Sequence, residues 1–212
     1  MVASFINPVK LMVLLTFAVA LLFLGNSRKK LHRLLLVVLA LGAANELLSL
    51  LFRKWEIPIR LSTNIYIILN ALMWFFILHE VVSQKKIVLL ILSLFMGFAL
   101  FNFFLLDGVD SFNAYTFVLG SLLYVVLFIV ASFSELGKEN LKFFLSPAYM
   151  LIFAPVLFFI GYSLIFGFRN REIDGVPILG GLEFFEFISY FVNIIFYAML
   201  NAYIWREKKR MV

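Results

Sequence analysis

The sequence predicts an all-α integral membrane protein, one domain built as a single bundle of seven transmembrane helices. Three observations carry this prediction. Hydrophobic residues make up 64% of the 212 positions and charged residues only 14%, whereas soluble domains average about a quarter charged. A water-soluble core of this size has no room for so much apolar surface. Seven apolar segments each approach the ~20 residues that a helix needs to cross ~30 Å of hydrocarbon. Lysine and arginine collect in short clusters between these segments, alternating between a rich side and a poor side.

The segments, in order, are residues 7–25, 34–52, 62–83, 87–106, 113–134, 145–168 and 184–205. The first starts polar rather than basic and lacks a small-residue cleavage site, so it reads as a retained helix and not a signal peptide. The second follows the basic stretch "NSRKKLHR" and the third follows "RKWEIPIR". "QKK" opens the fourth. The fifth starts after the acidic "LLDGVDSF". Ser146–Pro147 opens the sixth, as a first-turn proline. That segment also contains Pro155, which removes a helical hydrogen bond, predicts a kink and is a candidate hinge. The Gly- and Pro-containing "RNREIDGVPILGGLE", residues 169–183, is the only sizeable loop and leads to the last span. Other connections are short, so neighbouring helices should run antiparallel. Trp55, Trp74 and Trp205 are expected to include interfacial anchors.

Twelve Lys and Arg fall in the loops after the first, third and fifth segments and in the tail; the opposite side carries six, namely Lys10, Arg53, Lys54, Arg60, Arg169 and Arg171. The richer side is expected to be cytoplasmic. This puts the N-terminus outside and the C-terminus in the cytoplasm of a multi-pass protein of the bacterial inner membrane. The net charge of +6 therefore points to membrane lipids with anionic headgroups, not to nucleic acid.

Given that orientation, polar residues concentrate in the outer half of the bundle: Asn45, Glu46 and Ser49, then Asn64, Tyr66 and Asn70, then Asn102, Asn113, Tyr115 and Tyr162. On the last segment Glu183, Glu186, Tyr190, Asn193, Tyr197 and Asn201 recur at steps of three or four. Such steps return to one helical face. The inner half receives chiefly His79, Tyr197 and Asn201. The pattern is that of a polar pocket open to the outside, with Glu46, Asn45, Asn70, Asn102, Glu186, Tyr190 and Asn193 as candidate ligand-binding residues. A carboxylate at the depth of Glu46 costs about 2.5–3.5 kcal/mol to insert and tends to be buried, paired and functional. Hydrogen bonding between helices is the plainer role of the same residues, the asparagines above all.

Other chemistries find little support. There is no cysteine, hence no disulfide or thiolate site. His79–Glu80 lacks further ligands at helical spacing, so no metal site is expected. The only other histidine, His32, reads as part of a basic loop. Paired axial histidines for a haem are lacking. The last segment has no lysine before Lys208 to hold retinal. No phosphate loop or serine elbow occurs, and no cofactor is expected. An enzyme using Glu46 and Glu186 as acid and base is an outlying alternative.

Several stretches occur together: "LSTNIYIILNALMWFFIL", "LFNFFLLDGVDSFNAY" and "ENLKFFLSPAYMLIFAPVLFFIGYSLIF". Through Asn70, Asn102, Phe112–Asn113–Ala114–Tyr115, Glu139–Asn140–Leu141 and Ser146–Pro147, residues 62–205 resemble a family of small, uncharacterised bacterial seven-helix membrane proteins. Members are often encoded beside sensor histidine kinases. The resemblance implies such a kinase, or another membrane protein, as partner. The leading expectation is a non-enzymatic, receptor-like or signalling protein whose outer pocket takes a small or lipid-like ligand. The alternatives are a small transporter of the SWEET type, built as three, one and three helices, and an accessory subunit of a larger membrane complex.

Overall fold

The computed structural model describes residues 8–168, 177 and 183–211. Among them are eight helices and no strand beyond one isolated bridge, Pro177 to Glu183. They are α1 Pro8–Leu24, α2 Lys30–Lys54, α3 Arg60–Val81, α4 Lys85–Phe101, α5 Ala114–Gly137, the short α6 Leu141–Phe144, α7 Pro147–Phe168 and α8 Phe184–Met211. A π-helical turn, Asn102–Leu106, continues α4. Six of the helices are long and apolar enough to cross a membrane, which marks a multi-pass membrane protein. The seventh apolar helix, α1, has 17 residues, or about 26 Å at 1.5 Å per residue.

Helix ends depart from the expected spans where charge is involved. α2 begins at Lys30 rather than 34, and α8 runs to Met211 rather than stopping at 205. Lysine and arginine are good helix formers, and their long stems let a helix outlast the hydrocarbon. Basic Lys208, Lys209 and Arg210 in the last turn of α8 also complement its dipole. Most of the loop 169–183 lies outside the described residues.

The helices form a closed ring in the order α1, α2, α3, α5, α7, α8, with α4 outside it against α3 and α5. α3 also touches α7 across the ring. Small residues set the close approaches. A Cβ on Gly161 of α7 would stand 2.5 Å from Val192 of α8, and one on Gly120 of α5 would stand 2.8 Å from the Phe95 ring of α4. The interior is filled by Trp74, Phe75 and Leu78 of α3 with Phe95, Tyr124 and Leu200. Trp74 meets Phe196 edge-on at 5.7 Å and is buried, so it packs the core and does not anchor an interface. Trp55 and Trp205 are exposed near helix ends. Large apolar side chains on the outward faces, such as Leu22, Leu105 and Phe133, are exposed and require lipid to cover them.

Pro155 lies buried in α7. Proline cannot donate to the carbonyl four residues back and its ring crowds that turn. At this turn the Tyr124 hydroxyl of α5 donates to the Ile152 carbonyl at 2.8 Å, so the loosened turn is pinned to a neighbour. Tyr124→Phe removes the clasp and is expected to cost about 1 kcal/mol, read as lowered resistance to detergent unfolding.

Candidate functional site

The polar groups of the bundle gather in two places. At the end formed by the starts of α2 and α4 and the ends of α3, α5 and α8, three acids are tied down. Glu207 Oε2 accepts from Lys29 Nζ at 2.7 Å and lies 3.0 Å from His32 Nε2, whose Nδ1 is 2.6 Å from Ser27 Oγ. Arg210 adds a contact at 3.5 Å. Glu135 accepts from Lys138, Asn140 and Ser83 at 2.7, 2.7 and 3.1 Å. Glu80 accepts from Lys30 at 2.6 Å, with His79 at 3.4 Å. His32 is thus a buried helical residue paired with α8, not part of an exposed basic loop. These carboxylates are satisfied anchors.

The other end holds a cavity of about 180 Å³ enclosed by α1, α2, α3, α5, α7, α8 and the α4–α5 connection. Gly42, Asn45 and Glu46 of α2 share one face through i, i+3 and i+4 spacing. α3 brings Thr63 and Tyr66, α7 brings Phe158, Tyr162 and Phe166, and α8 brings Asn193 and Tyr197. Gly42 leaves the space open, since the Tyr66 hydroxyl lies 3.8 Å from where its Cβ would stand. Beneath is an annex of about 20 Å³ walled by Asn70, Tyr66 and Tyr197, room for a single water.

Glu46 is not alone. Lys10 of α1 stands 3.3 Å from its Oε2 and donates to Ser49 Oγ at 3.1 Å. Both charges are mostly covered, at 19% and 23% side-chain exposure, so the pair is stronger than a solvated surface bridge. Asn193 Nδ2 donates to Tyr162 Oη at 2.8 Å and to the Ser189 carbonyl at 2.7 Å, and Tyr162 also bonds Ser189 Oγ. Asn45 Oδ1 is buried without a protein partner. Among the described residues, the Tyr66 and Tyr197 hydroxyls have none either.

The candidates therefore divide. Asn45, Glu46 and Asn193 line the cavity, and Asn70 lines the annex. Asn102 lies elsewhere. Its carbonyl closes the π-helical turn by accepting from Asp107 and Gly108, and its Nδ2 donates to Thr116 at 2.8 Å and Asp107 at 3.0 Å. Glu186 is exposed and Tyr190 half-buried, and neither lines the cavity. The polar face of α8 is continuous, but its first turn ends beyond the bundle wall. Its lower end meets α1, where Asn201 donates to Thr16 at 2.9 Å. Sequence reasoning missed Lys10 as a partner of Glu46. The signal was its place one turn into the first helix, at the depth of Glu46 near the end of the second.

A larger groove of about 550 Å³ lies between α5, α6 and α7, walled by Phe128, Phe133, Leu136, Leu141 and Phe144 without any charged side chain. It suits hydrocarbon chains, and its polar side chains are those of Ser132 and Tyr149. Among the described residues no three His, Asp or Glu side chains gather where a metal ion could sit. Comparison with family models, with curated proteins and with solved structures yields no match.

Proposed function

We propose that this chain is a receptor-like protein of the bacterial cell membrane, with seven spans, its N-terminus outside and its C-terminus cytoplasmic. In this reading a small ligand enters the cavity from outside and changes the packing of the helices that wall it. The basic end of the bundle passes that change to a membrane or cytoplasmic partner, a sensor histidine kinase being the one implied by the sequence resemblance. α1 counts as the seventh span because a helix of its length needs only modest bilayer thinning and a snorkelling Lys10. The excess of Lys and Arg at the Glu207 end supports the orientation.

The observation that carries the receptor reading is the one-sidedness of the cavity. Below the annex, Trp74, Phe75, Leu78 and Leu200 are buried to within 1% of full burial and fill the middle of the bundle. Transport would require that layer to part, whereas sensing requires only that the outer walls move. Gly42→Leu fills the cavity while pointing an apolar side chain at apolar and aromatic neighbours. It is expected to abolish ligand response with about 1–3 kcal/mol lost in stability.

The direct test is purification of the tagged protein from native membranes in mild detergent, with mass spectrometry of what accompanies it. Stoichiometric recovery of a signalling protein supports the proposal. Recovery of the chain alone, together with substrate flux in reconstituted vesicles, would replace it with the transporter reading.

A further inference from the structure

We infer that the pocket is built for a small organic ammonium ion; this rests on the reading of the cavity as a ligand site. Among the described residues the wall contains one formally charged side chain, Glu46, and no Lys, Arg or His. The remainder is largely aromatic. Phe112 and Phe166 lie 4.7 Å apart, Phe117 and Phe166 5.2 Å, Tyr162 and Phe166 5.7 Å, and Phe158 and Tyr162 4.7 Å, so these rings form one connected wall. Ring faces attract cations electrostatically, more strongly where water is excluded. Asn45 Oδ1, an acceptor, is buried without a protein partner, and among the described residues the Tyr66 and Tyr197 hydroxyls, which can also accept, have none either. The amide donor of Asn193 is already committed to Tyr162 and Ser189. A carboxylate ligand would meet Glu46 with no cation on the wall to hold it. An ammonium group meets an anion, an amide oxygen and ring faces. At about 180 Å³ the space is below the roughly 300 Å³ at which drug-sized pockets begin, so the body of the ligand is a few carbons.

Lys10 holds the Glu46 side chain before the ligand arrives. Its ammonium group sits behind the wall, on Glu46 and Ser49. An entering ammonium takes over the carboxylate, and Lys10 falls back on Ser49. Occupancy would thereby replace the α1–α2 ion pair with a ligand contact. α1 packs on α8, whose far end carries the basic tail, and this gives the exchange a route along the bundle.

The chain has no cysteine, so a single Thr63→Cys places one thiol on the cavity wall. Its modification rates by a trimethylammonium-ethyl and a sulfonatoethyl methanethiosulfonate, each divided by the reagent's rate with free cysteine, measure the preference for a cation. We expect the cation to be favoured about tenfold, as for one partly screened charge at contact distance. Glu46→Gln on this background should bring the ratio to about one, and Lys10→Met should raise it. Should Glu46→Gln fail to fold, protection of Thr63→Cys alone serves. Tetramethylammonium is expected to slow modification, and its neutral isostere neopentane-type alcohol is not. Equal normalised rates, a ratio indifferent to Glu46, or equal protection would overturn the ammonium assignment while leaving the pocket in place. Failure of both reagents to react would overturn the pocket itself.

Discussion

Asn64→Leu is expected to cost the bundle about 2–4 kcal/mol, the largest loss among single changes at the end that holds the cavity. Asn64 is fully buried in the second turn of α3. Its Nδ2 donates to the Ser111 carbonyl at 2.7 Å and its Oδ1 accepts from the Asn113 backbone N–H at 3.0 Å. One side chain thus satisfies both a donor and an acceptor of the α4–α5 connection, away from water. Leucine conserves volume but leaves both groups unpaired, and in a membrane-buried setting they have no alternative. The same connection places Phe112 at the cavity, so the variant should also weaken ligand response. Unfolding in a denaturing detergent, followed by tryptophan fluorescence, reads the effect. A loss below about 0.5 kcal/mol would show that the connection is held by other contacts.

Glu207→Leu is expected to cost about 2–3 kcal/mol, through the charged hydrogen bonds it makes and the partners it strands. Its carboxylate joins α8 to Lys29 in the α1–α2 turn and to His32 in α2. Lys29 is half-exposed and can turn to water, so its share is small. His32 and Glu207 are almost fully covered, at 1% and 7% side-chain exposure, and carry most of the effect. Replacing both, as His32→Leu with Glu207→Leu, should recover more than half of the loss, because matched apolar residues remove the unpaired groups together. A double variant as unstable as the single one would assign the cost to packing.

The bundle was legible because its determinants are local. Run length and hydropathy report a membrane helix without reference to neighbours, and steps of three and four report a polar face. Depth and partnership are not local. The stripe on α8 identifies the right face at Asn193 and Tyr197, yet Glu186 on the same stripe lies outside the wall because periodicity carries no information on where the bundle ends. Lys10 and Glu46 are far apart in the chain, and His32 and Glu207 farther still. Nothing in the spacing of either stretch names its partner. Asn102 shows a third reason. It has the composition of a binding residue, but a π-helical turn directs its amide to Thr116 and Asp107, and no sequence signal distinguishes that turn from regular helix. Which of the three tryptophans is buried was not legible for the same cause, since an interfacial and a core tryptophan look alike until the facing helix is known.

The central claim is a hydrated pocket that opens outside, at the end of the bundle opposite the Glu207 anchors. The most direct measurement is labelling of single-cysteine variants in intact cells with a membrane-impermeant maleimide. Glu56→Cys in the α2–α3 loop and Thr63→Cys on the cavity wall are expected to react, while Lys142→Cys on α6 reacts only after the cells are opened. Labelling of Lys142→Cys in intact cells with Glu56→Cys silent would contradict it, since the pocket would then face the cytoplasm.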